Sequence, residues 1–282
     1  MHLSEFAYTV LLRPKPLRAL ANAVICRLIP PQLSLNGAVV VLNQRDPVVS
    51  GALALGLYER AETAFFRAAR QPGMTFLDIG ANIGYFSALA LEVLEGGRII
   101  ALEPDPENFR FLKQTIAANR ARNVICVNKA AADRNGMLTL HTNSSNRGDN
   151  RLYSNDLAEG SVQVEVCTID SLLESLDISS IEFIKIDVQG FEGHVFKGMK
   201  RTLQQSVNLT LLSEFWPFGL RSAGSDPEEV LNELEAAGLT LHELNSRGTL
   251  RLIENKQEFI GRFPGRRYTN IVGLRGDTRV RG

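Results

Sequence analysis

The stretch MTFLDIGANIGYFS, residues 74–87, decides the fold of this chain. Its first half is a short apolar run that ends at Asp78, as a buried strand does. Gly80 and Gly84 then flank Asn82 in a turn. Apolar residues at helical spacing follow, namely Ile83, Phe86, Leu89, Ala90 and Val93. Because glycine adopts positive φ and lets a backbone approach a ligand, the stretch predicts a strand, a tight turn and a helix start. Such a unit binds an adenosine-containing cofactor at the carboxyl end of a parallel strand.

The order of residues in the turn argues against a dinucleotide. A pyrophosphate-binding loop follows the pattern G-x-G-x-x-G, in which the second glycine makes room for phosphate. Here the residue two positions after Gly80 is Asn82, so a side chain stands where that pattern needs glycine. A nicotinamide-dependent oxidoreductase is therefore the less favoured alternative, and calorimetry with NAD would test it.

Two acidic residues mark the ends of the first two predicted strands. Asp78 ends the strand before the turn, and Glu103 and Pro104 follow a second apolar run at residues 98–102. Glu103 lies 23 residues after Gly80, near the spacing at which a carboxylate binds ribose hydroxyls. An acid, a loop of small residues and a second acid suit a cationic nucleoside without phosphate, such as S-adenosylmethionine (SAM). The alternative interpretation makes Asp78 a turn cap and Glu103 an exposed residue.

Four motifs, in this order, resemble the FkbM-type family of SAM-dependent methyltransferases. They are LDIGANIGYFSALA (77–90), ALEPDPENFRFLKQTIAAN (101–119), FIKIDVQGFEGHVFKGM (183–199) and LLSEFWP (211–217). The similarity runs from about residue 35 to residue 274 and includes Gly56-Leu57-Tyr58-Glu59. It implies SAM as cofactor and O-methylation of a sugar, glycolipid or polyketide-like hydroxyl. It also implies the class I methyltransferase fold, Rossmann-like, with a mostly parallel sheet, helices on both faces and an antiparallel C-terminal strand. The family often has an acid where this chain has Gln189, which removes one charge from the predicted active face.

Composition and charge are those of an ordinary globular protein. Hydrophobic residues make up 44% of the 282 residues and charged residues 22%, which allows a large core. Lys plus Arg and Asp plus Glu both number 31, so no long-range field favours nucleic acid. The cysteines at positions 26, 126 and 167 form no C-x-x-C pair, which argues against a disulfide framework and a zinc site. We therefore predict a cytoplasmic protein with no nucleic-acid partner.

The N-terminal region predicts an amphipathic helix. Residues 17–29 carry apolar side chains at helical spacing, interrupted by Arg18 and Arg27, and Pro30 and Pro31 end the pattern. The run is too short to span a bilayer, and it lacks a small-residue cleavage site for a signal peptide. Two interpretations stay open, in which the helix packs on the domain or makes a peripheral membrane contact.

The remaining sequence predicts one methyltransferase domain over residues 51–282, after an extension over residues 1–50. The extension holds the amphipathic helix and a small hairpin between residues 38–42 and 48–49. In the domain, predicted helices cover 59–70, 106–119 and the segment after the cap Asp226, and predicted strands cover 124–127, 137–140, 162–166, 181–186, 209–215, 239–244, 250–253 and 270–274. The polar residues 141–161 form a long loop, either a substrate lid or a disordered segment.

Chemistry is expected at the carboxyl ends of the parallel strands, where ligands bind open sheets. Asp187 ends the predicted strand 181–186, Glu192 and His194 follow it, and Glu214 stands near the end of the next strand. Methyl transfer to oxygen needs an aligned nucleophile and a group that takes the hydroxyl proton. Asp187 is the first candidate for the base or orienting residue, and Glu192, Glu214 and His194 are the next.

Each candidate also has an alternative role. Glu192 complements the charge of a helix N-terminus, and His194 packs on a helix. Trp216 and Phe218 form either an aromatic wall for a sugar or cofactor, or part of the core. A magnesium ion is one alternative, because it prefers oxygen ligands such as the carboxylates of Asp187, Glu192 and Glu214. The spacing of these residues does not demand a metal, and none is predicted. A SAM-binding protein without catalysis is a further alternative.

The predicted cofactor site combines the glycine turn, the second acid and small residues after the third strand. Ala130 and Ala131 follow strand 124–127, where the resemblance places adenine and small residues leave room for it. The predicted set is Asp78, Gly80, Ala81, Asn82, Gly84, Glu103, Pro104, Ala130, Ala131 and Asp187. The expected acceptor is a small molecule or a glycan- or lipid-linked compound that presents a hydroxyl group.

Overall fold

The computed structural model describes residues 15–93, 96–143, 146–153 and 158–278, and its largest feature is an eight-stranded sheet. The strands are β1 (Gln32–Ser34), β2 (Val39–Val41), β3 (Thr75–Ile79), β4 (Arg98–Leu102), β5 (Val124–Val127), β6 (Ala130–Ala131), β7 (Gly136–Thr142), β8 (Gly160–Cys167), β9 (Phe183–Ile186), β10 (Leu209–Phe215), β11 (Thr240–Leu244), β12 (Leu250–Leu252) and β13 (Thr269–Arg275). The large sheet has the order β12-β11-β13-β10-β9-β3-β4-β5.

Helices connect these strands and cover the sheet. They are α1 (Lys15–Leu28), α2 (Val49–Ala54), α3 (Arg60–Ala69), α4 (Tyr85–Leu91), α5 (Pro106–Ala118), α6 (Ile169–Ser175), α7 (Glu192–Lys197), α8 (Lys200–Gln205), α9 (Pro217–Ser222), α10 (Pro227–Ala236) and α11 (Lys256–Gly261). As predicted, Asp226 caps α10 by accepting two backbone N–H groups, and proline takes the first helical position.

The fold-class prediction is confirmed by the pairing of the strands. Strands β10, β9, β3, β4 and β5 run parallel, and β13 runs antiparallel between β10 and β11. Alternate residues of a strand point to opposite faces, so each face of the sheet builds its own core. Leu77 and Ile79 join α6, α7, α8 and α10 on one face, whereas Phe76 joins α3, α4 and α5 on the other.

The register of the parallel strands sets the position of the site. Ile79, at the end of β3, pairs with Leu102 of β4 on one side and with Ile186 of β9 on the other. Ile186 in turn pairs with Ser213 of β10. The residues that follow this row, Gly80, Glu103, Asp187 and Glu214, therefore lie along one edge of the sheet.

The N-terminal hairpin differs from the prediction in its pairing. Strand β2 pairs with β1, not with residues 48–49, because the Asp46 carboxylate accepts N–H groups of Val48, Val49 and Ser50 and so starts α2. The hairpin is fixed to α5, since the Asn119 side chain bonds the N–H and carbonyl of Val39 at 2.9 and 2.7 Å. The boundary near residue 50 stays a prediction.

A smaller sheet of β6, β8 and β7 stands beside the main one. The antiparallel pair β7–β8 was predicted, but it is longer, and residues 141–142 and 160–161 of the predicted loop belong to strands. Of that loop, residues 144–145 and 154–157 lie outside the described residues. Residues 146–153 lie over the main sheet edge, where the Arg147 carbonyl accepts from Asn108 at 3.2 Å and the Tyr153 hydroxyl donates to the Gln189 carbonyl at 2.9 Å. Within the described ranges, no helix has the length and apolar character needed to cross a bilayer.

Candidate active site

A cleft of about 870 Å³ opens along the edge of the main sheet. Gly80, Glu103, Asp187 and Glu214, the row set by the strand register, all line it. The structure therefore brings the predicted cofactor loop, the predicted ribose acid and two of the predicted catalytic acids to one cavity. This arrangement follows the rule that ligands bind beyond the carboxyl ends of parallel strands.

Gly80 is required by a close approach between two strand ends. Its φ is +80°, and a Cβ at this position would overlap the backbone carbonyl oxygen of Asp187. The loop after it is held down because the N–H groups of Gly80 and Ala81 donate to the Leu102 carbonyl at 3.0 and 2.9 Å. Gly80 thus allows the end of β3 to sit against the end of β9, which fixes the cofactor loop relative to Asp187.

Glu103 is held in a defined orientation by the backbone. Its Oε2 accepts the N–H of Asn82 at 2.9 Å, and its Oε1 accepts the N–H of Asp105 at 2.9 Å. The side chain is buried, and burial raises its pKa to about 8. The Asn108 side chain also donates to this carboxylate. A carboxylate has about four acceptor positions, so capacity remains for a ribose hydroxyl group.

Pro104, Ala130 and Ala131, which belong to the predicted cofactor set, also line the cleft. Both alanines are buried in the small sheet and have short side chains, which leaves space above them. Together with the Gly80 turn and the Glu103 carboxylate, they fit an adenosine without phosphate. Asn82 adopts a φ of +52° in the turn and lines the same cavity.

Three other members of the predicted cofactor set, Asp78, Ala81 and Gly84, lie behind the cleft rather than on its wall. Asp78 is buried, and its Oδ2 accepts a hydrogen bond from Ser87 Oγ at 2.7 Å, which ties β3 to α4. A Cβ on Gly84 would meet Leu112 at 2.8 Å, so this glycine lets α4 pack against α5. The contacts of these residues fix the position of the turn at residues 80–84 without forming part of the cleft wall.

The opposite wall of the cleft carries a buried cation between two carboxylates. Lys185 Nζ lies 3.7 Å from Glu59 Oε2 and 3.5 Å from Asp187 Oδ2, and it sits 4.6 Å from the centre of the Phe86 ring. Burial alone would lower the pKa of Lys185, but the attraction of Glu59 and Asp187 outweighs it and raises that pKa. The ammonium group therefore stays charged, and its partners face the cleft.

Two further acids complete this wall. Burial raises the pKa of Glu59 to about 7, although Lys185 opposes the shift. Burial also raises the pKa of Glu214 well above its usual range, and the nearby Asp187 and Glu192 carboxylates add to it. One Glu214 oxygen has no hydrogen-bond partner among the described residues, and neither has the indole N–H of Trp216. These two residues therefore offer polar atoms to a ligand.

Gln189 orients Asp187 in this chain. Its side-chain amide donates to Asp187 Oδ1 at 2.8 Å, while its backbone adopts a φ of +55°. The position where the family often has an acid thus carries a hydrogen-bond donor, which fixes the orientation of the Asp187 side chain. Lys185 on one oxygen and Gln189 on the other leave the Asp187 side chain 23% exposed toward the cleft.

Glu192 and His194, by contrast, do not line the cleft. Glu192 is buried, and its Oε1 accepts the N–H groups of Val188 and Gly190 at 3.2 Å each. His194 bonds Asp133 at 3.0 Å and the Ala223 carbonyl at 2.9 Å through its two ring nitrogens. The Oε1 atom of Glu192 holds the turn after β9, whereas its buried Oε2 has no hydrogen-bond partner among the described residues, and both ring nitrogens of His194 are bonded. The catalytic role of these two residues stays a prediction. Phe218 also lies outside, whereas Trp216 lines the cavity.

The alternative magnesium site of Asp187, Glu192 and Glu214 lacks one wall residue, because Glu192 does not line the cleft. Within the described ranges, no group of three or more His, Cys, Asp or Glu side chains is arranged to hold a metal ion.

Sequence reasoning missed Glu59 and Lys185 as site residues. The signal for Lys185 was a charged residue inside the otherwise apolar strand FIKI, where a buried lysine needs partners. Glu59 belongs to the segment Gly56-Leu57-Tyr58-Glu59 that carried the family resemblance. Its ion pair with Lys185 could not be predicted, because the two residues are far apart in the sequence.

Comparison with known proteins assigns the family. The family model of the methyltransferase FkbM domain matches residues 78–241, from the end of β3 into β11. This chain belongs to the FkbM methyltransferase family. The predicted family is confirmed, and residues 78–241 form its methyltransferase domain.

Named relatives of this FkbM methyltransferase are distant. The chain is 28% identical over 164 residues to the hexuronic acid methyltransferase AglP of Haloferax volcanii, covering 58% of this chain and 62% of that protein. It is 27% identical over 151 residues to the 2-O-methyltransferase NoeI of Sinorhizobium fredii, covering 48% and 61%. The matched region thus spans less than two thirds of either relative.

Solved methyltransferase structures are similar at low sequence identity. A TehB-like SAM-dependent methyltransferase from Corynebacterium glutamicum has a TM-score of 0.45 at 12% identity, covering 80% of this chain and 92% of that chain. The TYW2 protein of M. jannaschii in complex with AdoMet has a TM-score of 0.42 at 13% identity, covering 87% and 86%.

Proposed function

We propose that this enzyme methylates a hydroxyl group of a sugar, free or linked to a glycan or lipid. The observation that carries the proposal is the Asp187 carboxylate, which faces the cleft on the same sheet edge as Gly80 and Glu103. A carboxylate at this place can accept a hydrogen bond from an acceptor hydroxyl and take its proton. Because Lys185 and Gln189 hold its two oxygens, Asp187 has little freedom to turn away.

Different residues perform the two binding tasks in this proposal. Glu103 accepts hydrogen bonds from the ribose hydroxyls, and Ala130 and Ala131 leave room for the base. When bound, SAM supplies an electrophilic methyl group. Asp187 orients the acceptor oxygen, accepts the proton that the hydroxyl group loses, and later releases it to water. Positioning and proton acceptance are the contributions that this chain makes to the rate.

The outer part of the cleft supports a sugar acceptor. Trp216, Tyr268 and Asn270 line it, which provides aromatic faces beside polar groups. The unpartnered Trp216 indole N–H and Glu214 oxygen offer one donor and one acceptor to hydroxyl groups. The relative named a hexuronic acid methyltransferase supports a sugar acceptor, and the relative named a 2-O-methyltransferase supports transfer to oxygen.

A methyl-transfer screen tests this function. The full chain is incubated with radiolabelled SAM and three probes, methyl β-D-glucuronide, methyl β-D-glucoside and glycerol. We expect labelled product from at least one glycoside and much less from glycerol, with turnover lost in the Asp187→Asn variant. Absence of labelled glycoside, with SAM bound normally, would contradict the sugar acceptor.

We also propose that α1 rests on an anionic lipid surface, which would suit a lipid-linked acceptor. Leu20, Val24 and Leu28 lie at i, i+4 and i+8 and are 65%, 49% and 70% exposed, so they form one apolar stripe. Helix α1 also contains Lys15, Arg18 and Arg27 and no acidic residue. An apolar stripe on a basic helix fits an anionic membrane surface, which offers both acyl chains and negative charge. A protein groove without acidic residues would match only the apolar stripe.

Sedimentation with vesicles tests this surface. We expect the chain to pellet with phosphatidylglycerol vesicles more than with phosphatidylcholine vesicles, and serine at positions 20, 24 and 28 to abolish pelleting. The matched control is Leu252→Ser, because Leu252 is 48% exposed on β12. Unchanged pelleting of the triple variant would refute the proposal. If wild type and the Leu252→Ser control form a dimer and the triple variant does not, the stripe binds a second copy of this chain instead.

A further inference from the structure

Glu59 has a backbone conformation that a glutamate rarely adopts. It stands just before α3 with φ 38° and ψ 52°, in the left-handed region that favours glycine. Its side chain makes no capping hydrogen bond to the helix, so the conformation does not serve the cap. Strained residues of this kind persist where the surrounding structure holds them, and they cluster at functional sites.

The conformation of Glu59 places its carboxylate beside Asp187. Both carboxylates contact Lys185 Nζ, at 3.7 and 3.5 Å, and both line the cleft. Their side chains are 21% and 23% exposed, whereas that of Lys185 is only 6% exposed. The ammonium group is therefore beneath, and the two carboxylates are presented side by side to whatever enters the cavity.

We propose that Glu59 and Asp187 form a two-carboxylate subsite, bridged from beneath by Lys185, that binds two hydroxyl groups of one acceptor sugar. This inference rests on the proposed function and specifies how the acceptor is held. Asp187 contacts the hydroxyl group that loses its proton, and Glu59 accepts a hydrogen bond from a second one. Lys185 is a positioning residue, since it acts through both carboxylates.

The charges around Glu59 agree with this assignment. From α3 comes Glu62, which accepts a hydrogen bond from Asn270, and the preceding Tyr58 makes a side-chain hydrogen bond to Glu59. From β9 come Lys185 and Asp187, and Lys185 is the only cation that the described residues place in an ion pair with Glu59. Burial raises the pKa of Glu59 to about 7, so its hydrogen-bond-accepting form increases as pH rises through neutrality.

Three variants separate this role from a structural one. Glu59→Gln keeps the size but removes the charge, and Glu254→Gln is the matched control because Glu254 is exposed and lies outside the cleft. Glu59→Gly removes the side chain and relieves the left-handed conformation, but it also takes one carboxylate partner from the buried Lys185, so its Tm is measured beside its activity. Loss of activity in a variant that is at least as stable cannot be ascribed to misfolding.

The probes are methyl β-D-glucuronide, methyl β-D-glucoside and their single-deoxy analogues. We expect Glu59→Gln to raise KM about 10- to 100-fold, the effect of losing a hydrogen bond to a charged group, while the Kd of SAM stays unchanged. The rise of kcat/KM with pH near 7 should flatten in this variant. With one deoxy analogue, which lacks the partner hydroxyl, wild type and Glu59→Gln should have the same KM, as expected for a coupled pair.

The outcomes distinguish this inference from the proposed function. If wild type methylates a glycoside and Glu59→Gln has the same KM and pH profile, the subsite is refuted and the proposed function stands. If the Glu59→Gln variant loses SAM affinity by the same factor as it loses acceptor affinity, Glu59 supports the cofactor site or the fold. That result also refutes the subsite. If wild type neither binds nor methylates any glycoside, as measured by saturation-transfer NMR and label incorporation, both proposals fail.

Discussion

Replacement of Glu103 by Gln should weaken SAM binding while preserving the fold. In the structure the carboxylate already accepts the backbone N–H groups of Asn82 and Asp105 and a side-chain hydrogen bond from Asn108, and it keeps acceptor capacity for a ribose hydroxyl group. Gln has a single oxygen, so its amide N–H₂ must face one of those backbone donors and cannot accept from a hydroxyl. Loss of one to two charge-assisted hydrogen bonds amounts to about 1.5–3 kcal/mol, or roughly 10- to 150-fold in Kd.

The change of SAM affinity with pH gives a second test of Glu103. Burial raises the pKa of Glu103 to about 8 in the cofactor-free protein. Because two hydroxyl donors favour the ionised carboxylate, SAM binding releases a proton below that pH. Wild-type affinity should therefore increase as pH rises from 6 to 8, by up to about tenfold per pH unit, and the Glu103→Gln variant should lack this increase.

Stability should change with pH in the opposite direction. A carboxyl group whose pKa is raised on folding binds its proton more tightly in the folded state. Its stabilising contribution is complete below the ordinary value of 4.5 and is lost as pH rises through about 8. Cofactor-free wild type should thus lose more stability than Glu103→Gln between pH 5 and pH 8, which thermal denaturation measures.

Isothermal titration calorimetry with SAM, at pH 6, 7 and 8, is the assay for affinity. Glu254→Gln is the control, because it makes the same chemical change on the exposed surface away from the cleft. If Glu103→Gln binds SAM like wild type at pH 8, or if it shows the same pH dependence, then Glu103 does not hold the ribose.

Four further changes test other parts of the account. Asp187→Asn should lower turnover about 10²- to 10⁴-fold with little change in the Kd of SAM, the usual contribution of a positioned acid–base group; full turnover on a glycoside would remove Asp187 from the chemistry. Gly80→Val should abolish SAM binding because its Cβ would overlap the Asp187 carbonyl at a φ of +80°; unchanged calorimetric binding would refute the packing argument. Glu192→Gln should lower Tm more than turnover, since Glu192 bonds two backbone N–H groups outside the cleft; the reverse result would restore it as a catalytic residue. Deletion of residues 1–31 should leave SAM affinity intact, because every residue of the cofactor wall lies after them; calorimetry that finds no binding would contradict the proposed boundary.

The sequence was most informative where local pattern and register coincide. The apolar runs of β3, β4, β9 and β10 predict buried parallel strands, and each carries a cleft residue at or just after its end. The sequence pattern alone therefore assigns four residues to one sheet edge, namely Gly80, Glu103, Asp187 and Glu214. The reason is geometric, because parallel neighbours end together.

The sequence was least informative where side-chain direction decides the role. Glu192 and His194 lie only a few residues beyond Asp187, yet the turn after β9 directs them to backbone groups and to Asp133. Spacing along the chain does not specify that direction. The ion pair of Glu59 with Lys185 joins α3 to β9. Such a contact depends on how a helix packs on the sheet and leaves no local pattern.

The hairpin error has a similar cause. Residues 48–49 are β-branched and apolar, which favours a strand. The Asp46 carboxylate instead caps the backbone of residues 48–50 and starts α2. A local hydrogen-bonding side chain outweighed strand propensity at this point.

A crystal structure with S-adenosylhomocysteine, the product that SAM leaves after methyl transfer, is the most direct test of the central claim. We expect the ribose hydroxyls to lie within hydrogen-bond distance of the Glu103 carboxylate and the adenine to lie over Ala130 and Ala131. The sulfur should face the wall formed by Glu59, Lys185 and Asp187. A nucleoside bound elsewhere, or one whose sulfur points away from Asp187, would contradict it.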